Sequence, residues 1–170
     1  MTDSVRRPHY FLGQMLSPDD FALEQQYHRD MRHLLNRRLG SGVVEGLNVS
    51  IGAKGAVTVT PGIAIDPRGR EIVQTLPCRL SVRPALGTTM IDAVVTATWK
   101  EVPDSFTVAP PGCPAEEAFT RWVEQPIIAA KPAASVGPDD VVLARITKAG
   151  RGRPVVSQVP KLTARTIDGP

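Results

Sequence analysis

The chain has 170 residues and a mass of 18.3 kDa, enough for one domain, or one domain with a short appendage. Hydrophobic residues at 42% and charged residues at 22% are near the globular average and exclude wholesale disorder, while 14 Gly and 16 Pro without a Gly-X-Y period exclude collagen and announce many turns. The balance of 20 Lys+Arg against 17 Asp+Glu, a net charge of +3, is too mild to imply nucleic-acid binding by itself.

Residues 1–16 read as an extended arm. Arg7-Pro8 forces an extended step. Tyr10, Phe11, Met15 and Leu16 need apolar cover, from the chain's own β domain or from a neighbouring subunit. No apolar stretch of signal-peptide type follows Arg6 and Arg7, and no run of about eighteen apolar residues occurs anywhere. The expectation is a cytoplasmic chain with no signal peptide and no membrane insertion.

A helix is expected over 18–39. Ser17 is an N-cap, Pro18 takes the first helical position and Asp20 the capping-box position. Asp19, Asp20 and Glu24 load its start and Arg29, Arg32, Arg37 and Arg38 its end, so both ends complement the helix dipole. Gly40 is the stop. Phe21, Leu23, Tyr27, Met31, Leu34 and Leu35 make one broad apolar face. That face either covers a sheet of the same chain, the preferred expectation, or bundles with copies of itself.

From Gly42 the apolar period becomes two. Leu47, Val49 and Ile51, then Val57 and Val59, then Ile63 and Ile65, then Ile72 and Val73 read as a meander of four short strands. Asp66-Pro67-Arg68-Gly69 has the chemistry of a type I turn. A long strand follows with Ile91, Ala93, Val95, Ala97 and Trp99 on one face. Residues 102–118 read as a surface loop, 121–130 as an edge strand interrupted by Pro126, and 131–138 as a linker. Val141–Thr147 and Val155–Leu162 are strands joined by a basic hairpin tip at 148–154. The fold class is α+β: an N-terminal arm and one long helix (1–40), then a mainly antiparallel β-sandwich or open barrel (41–170).

Reactive chemistry is sparse. His28 and His33 are five apart and do not share a helical face, so a helical metal pair is not expected. Cys78 and Cys113 carry no catalytic signature and read as free thiols. Asp19-Asp20, Glu116-Glu117 and Asp139-Asp140 sit at a helix start and in loops, where adjacent carboxylates are ordinary surface charge. Arg145, Lys148, Arg151, Arg153, Lys161 and Arg165 form a late basic run without a base-stacking aromatic, so a nucleic-acid partner is not expected. No enzyme activity, metal or cofactor is expected.

Several motifs at fixed spacing carry a resemblance. Tyr10-Phe11-Leu12-Gly13-Gln14-Met15-Leu16, then Asp20-Phe21, Glu24-Gln25, Tyr27-His28 and Asn36-Arg37, are followed by Gly42-Val43-Val44-x-Gly46-Leu47 and Pro61-Gly62-x-Ala64-Ile65-Asp66-x-x-Gly69-Arg70-Glu71-Ile72. Together they resemble a bacterial family associated with phage-tail-like particles and the baseplates of contractile injection systems, known by its Tyr-Phe-x-Gly-Gln opening. The chain departs from that pattern at Leu35, where a His is usual, and at Gly40-Ser41. The resemblance implies a non-enzymatic structural subunit at the baseplate or tail tip, with baseplate, spike or fibre proteins as partners and self-association as a further option. The docking surface is assigned to Tyr10, Phe11, Gln14, Phe21, Tyr27, His28, Arg32 and Asn36. A different expectation is a carbohydrate- or surface-binding module at the particle tip, with Trp99 and Trp122 as its platform.

Overall fold

In the computed structural model, residues 5–52, 55–82, 92–107, 118–148 and 154–163 are described. One helix, α1 (Pro18–Leu39), precedes twelve strands among these residues. They are β1 (Gly42–Gly46), β2 (Val49–Ile51), β3 (Ala56–Val59), β4 (Gly62–Ile65), β5 (Glu71–Gln74), β6 (Cys78–Ser81), β7 (Asp92–Thr98), β8 (Glu101–Thr107), β9 (Ala118–Glu124), β10 (Ile127–Pro132), β11 (Asp140–Thr147) and β12 (Val155–Gln158). Their pairings are antiparallel, in sheets ordered β1-β4-β5, β2-β3-β6, β10-β7-β11-β12 and β8-β9. The expected α+β class with one long helix is the class found.

The first three of these sheets share one aliphatic core. Val43, Leu47, Val57, Ile72, Val95 and Leu143 belong to a single buried cluster drawn from all three. Strand β12 is tied to β2 through Gln158, whose side-chain carbonyl accepts the Val49 N–H at 3.2 Å and whose amide donates to the Val49 carbonyl. Beyond β12, the Leu162 N–H donates to the Val43 carbonyl at 2.7 Å.

The 42–73 stretch is not a simple meander. Strand β1 pairs with β4, while β2 pairs with β3 and β3 with β6, so two three-stranded sheets interleave. The chain changes sheet at Gly46-Leu47, where φ is 61° and 50°. Gly46 faces Gly62 across β1 and β4, and a Cβ on Gly46 would lie 2.0 Å from the Pro61 carbonyl oxygen. Backbone meets backbone there, and no side chain fits. Burial of Leu47 repays its unusual conformation, since only 1% of it is exposed.

Strand β7 is buried on both faces from Ala93 to Ala97 and paired on both edges, to β10 and β11; the sequence had marked only one of those faces. The expected 102–118 loop is in part a two-stranded ribbon of β8 and β9, with Pro103 opposite Trp122. A proline fits there because a two-stranded ribbon leaves one side of each strand unpaired. Residues 108–117, with Cys113, lie outside the described residues. The expected 121–130 strand is two strands in different sheets, broken at Gln125-Pro126. The expected 131–138 linker begins as the end of β10 and continues as a 3-10 turn at Ala133–Ser135. Residues 149–153 of the basic hairpin tip also lie outside the described residues, and its return strand is the shorter β12.

Candidate docking site

Helix α1 forms for local reasons. The Ser17 hydroxyl accepts the Asp20 N–H at 3.3 Å and the Asp20 carboxylate accepts the Ser17 N–H at 2.8 Å, closing a capping box with Pro18 in the first turn. The Ser17 backbone N–H and hydroxyl hold the Asp20 carboxyl below its usual range. Arg37 and Arg38 occupy the last turn and Gly40, at φ 95°, ends the helix.

The helix does not cover a sheet, contrary to the preferred expectation: none of its residues is buried. It sits on the β domain through polar groups near its C-terminal end. The Asn36 amide donates to the Gly69 carbonyl at 2.9 Å and to Glu71 Oε1 at 2.8 Å, and Arg32 Nε lies 2.8 Å from the same Glu71 oxygen. Gly69, at φ 86°, packs so closely that a Cβ would lie 2.2 Å from the His33 carbonyl oxygen. At 100° per residue, Arg32, His33 and Asn36 span about 100° of the helix circumference. Leu23, Tyr27, Met31 and Leu34 lie about 130–170° from the middle of that arc, while Phe21, Leu35 and Leu39, on its Arg32 side, are 52%, 68% and 60% exposed. The apolar stripe is therefore not buried on a sheet of the chain's own β domain.

The turn that carries the helix is rigid by construction. Asp66 is buried, and its Oδ1 accepts the backbone N–H groups of Arg68 and Arg70 at 2.9 Å each. Its Oδ2 accepts from Arg70 Nε at 2.6 Å. The Arg70 guanidinium also lies 3.3 Å from Asp139 and 4.5 Å from the centre of the Trp99 ring. Arg68 Nε donates to Asp139 at 2.9 Å.

The arm turns and then meets the first half of the helix. Gln14 N–H donates to the Phe11 carbonyl at 3.2 Å around Gly13 at φ 86°, and the Gln14 side chain accepts the Phe11 N–H at 3.3 Å. The Tyr10 hydroxyl donates to Glu24 Oε2. That hydrogen bond, with desolvation and the nearby Glu24 and Asp20 charges, pushes the Tyr10 phenol up to about 12. His28 lies 3.8 Å from Glu24 and meets the Tyr27 ring edge-on at 5.3 Å between centroids. Arm, helix and the Arg68 turn together frame an open groove of about 630 Å³.

The eight residues assigned to docking thus fall into separate places. Tyr10 and His28 meet at Glu24 with Tyr27 edge-on to His28, Phe11 and Gln14 make the arm turn, and Phe21 stands exposed on the helix. Arg32 and Asn36 face inward onto Gly69 and Glu71. The seat itself, Asp66 with Gly69, Arg70 and Glu71, was read from the sequence as a turn and as part of the resemblance, not as a support for the helix. The signal was available in the Asp66-x-x-Gly69-Arg70-Glu71 spacing. The tryptophan platform is not assembled, since Trp99 is capped by Arg70 while Trp122 is exposed on β9. In the late basic run, Arg145 is paired with Asp92, and Arg151, Arg153 and Arg165 lie outside the described residues. Among the described residues no group of three His, Cys, Asp or Glu could hold a metal, and no helix is long and apolar enough to cross a membrane.

No family model and no curated protein matches the sequence. Solved structures do match, and among them are chains of type VI secretion baseplate assemblies. A chain of the type VI secretion baseplate complex superposes with a TM-score of 0.51 at 12% identity, over 91% of this chain and 58% of that one. A chain of the TssK-TssF-TssG baseplate subcomplex gives 0.54 at 13% identity, over 91% of this chain and 60% of that one. The crystal structure of TssK gives 0.51 at 11% identity, over 91% of this chain and 41% of that one. At such identities the likeness is one of fold, and the chain spans 41% to 60% of the length of these structures.

Proposed function

We propose that the chain is a non-enzymatic structural component of a phage-tail-like particle of the contractile-injection type, acting as a docking subunit at the baseplate or tail tip. Residues 1–40 form the docking element and 41–170 the β domain that carries it. The observation that carries the reading is a helix fixed to its own domain by Arg32 and Asn36 while its apolar stripe is left unburied. A fold shared with type VI secretion baseplate proteins supports it. Tyr10, Phe11, Gln14, Phe21, Tyr27 and His28 present the docking surface, and Arg32 and Asn36 hold it in place. The partners are other particle subunits, and assembly takes place in the cytoplasm.

Co-purification from the native host tests this reading: the chain travels with sheath and tube proteins, and its deletion leaves incomplete particles. A surface-binding role rests on Trp122, 64% exposed on the β8-β9 ribbon, whose other face carries the Phe106–Phe119 edge contact. Glycan-array binding that Trp122→Ala abolishes would favour that role instead.

A further inference from the structure

The groove between arm and helix has a definite chemical character. Its floor is apolar, with Leu23, Tyr27, Met31 and Leu34 along one side of α1. Its rim is cationic, with Arg6 from the arm, Arg37 from the last helical turn and Arg68 from the β4-β5 turn. Arg68 is already neutralised by Asp139 at 2.9 Å. Arg6 and Arg37 have no acidic partner among the described residues. The one acid on the lining, Asp30, accepts from the neutral Gln26 amide at 2.6 Å. Two guanidinium groups with no acidic partner among the described residues therefore flank an aliphatic and aromatic floor in an opening of about 630 Å³.

We propose that this groove receives an apolar, acidic segment of another protein chain, its leucine-type side chains on the floor and its carboxylates on Arg6 and Arg37. This rests on the reading of residues 1–40 as a docking element. Guanidinium groups favour carboxylates because their planar donor fork matches two oxygens, and an apolar floor rewards an amphipathic helix or a short extended segment. A bare polyanion satisfies the rim and leaves the floor unoccupied. A volume of this size accepts a few side chains and not a folded domain.

The test uses the full chain and a fluorescein-labelled amphipathic peptide of about 14 residues made of leucine and glutamate, beside its leucine and lysine counterpart. Fluorescence anisotropy shows the glutamate peptide binding about tenfold more tightly, a gap that narrows with salt. Leu34→Asp, and separately Arg6→Glu with Arg37→Glu, each weaken binding about tenfold. Leu34 is 45% exposed, so its variant keeps the fold, which circular dichroism verifies. Arg79→Glu with Lys161→Glu makes the same change in net charge on exposed residues away from the groove and leaves binding within about twofold. Equal binding of the two peptides, equal loss from the remote pair, or no binding at all overturns the proposal. So does a dimer in analytical ultracentrifugation that Leu34→Asp dissociates, which would make a second copy the occupant. Particle incorporation without peptide binding sinks the groove alone, and peptide binding without incorporation sinks the particle role alone.

Discussion

Replacing Asp66 by alanine removes the keystone of the seat under α1. The carboxylate is 1% exposed and accepts two backbone N–H groups at 2.9 Å and Arg70 Nε at 2.6 Å. Each buried donor left unsatisfied costs about 1–3 kcal/mol, and breaking a buried ion pair from one side costs about 3–5 kcal/mol. Arg70 keeps Asp139 at 3.3 Å and the Trp99 ring, so the arginine side of the loss is partly offset. The expected cost is about 3–5 kcal/mol, which for a chain of this length lowers Tm by roughly 6–20 °C. Asp66→Asn retains an oxygen for the two N–H groups and loses the charge toward Arg70, so it costs about half as much. Urea unfolding at neutral pH, followed by circular dichroism and by tryptophan fluorescence, measures both. A loss below about 1 kcal/mol for the alanine variant, or an equal loss for both variants, refutes the assignment of the seat to this side chain.

Other outcomes follow from the same contacts. Gly69→Ala meets the His33 carbonyl and a left-handed φ of 86°, so it costs more than about 1 kcal/mol and speeds hydrogen exchange along α1 more than in β7 and β11. Of the two tyrosines, Tyr10 titrates near pH 12; its hydrogen bond to Glu24 adds stability below about pH 10 that disappears as pH rises through 12. Ultraviolet titration checks it, and Glu24→Gln returns that step toward 10. Burial of Asp140 opposes its ionisation, yet hydrogen bonds from Lys131, Thr98 and the Gly137 N–H hold its carboxyl below the usual range. Its stabilising contribution is therefore present above about pH 4 and lost on further acidification, and Asp140→Asn flattens the Tm profile in that window.

How legible each part was depends on the range of the forces that make it. Helix α1 announced itself because its cap, first proline, charge gradient and glycine stop are all local signals from Ser17 to Gly40. Short strands were visible as alternation, but their partners were not. Pairing of β1 with β4, instead of a neighbour, depends on the facing of Gly46 and Gly62, residues 16 apart with no side chain to leave a pattern. The two covered faces of β7 were half visible, because Thr96 sits buried among valines and alanines and breaks the apolar run. The helix was expected to bury its apolar stripe. Asn36 and Arg32 make the contact instead, with Gly69 and Glu71, more than thirty positions away, which no helical periodicity encodes. The motifs that carry the resemblance include Asn36, Gly69 and Glu71, but the sequence assigned none of them to a seat for the helix.

The most direct test is quantitative mass spectrometry of particles purified from the native host, comparing the wild-type chain with Phe21→Asp, Leu35→Asp. Both positions are exposed and leave the fold intact. A docking subunit predicts a fixed ratio of wild-type chain to sheath protein and a large depletion of the variant. Absence of the wild-type chain from the particles, or equal amounts of the two, contradicts the account.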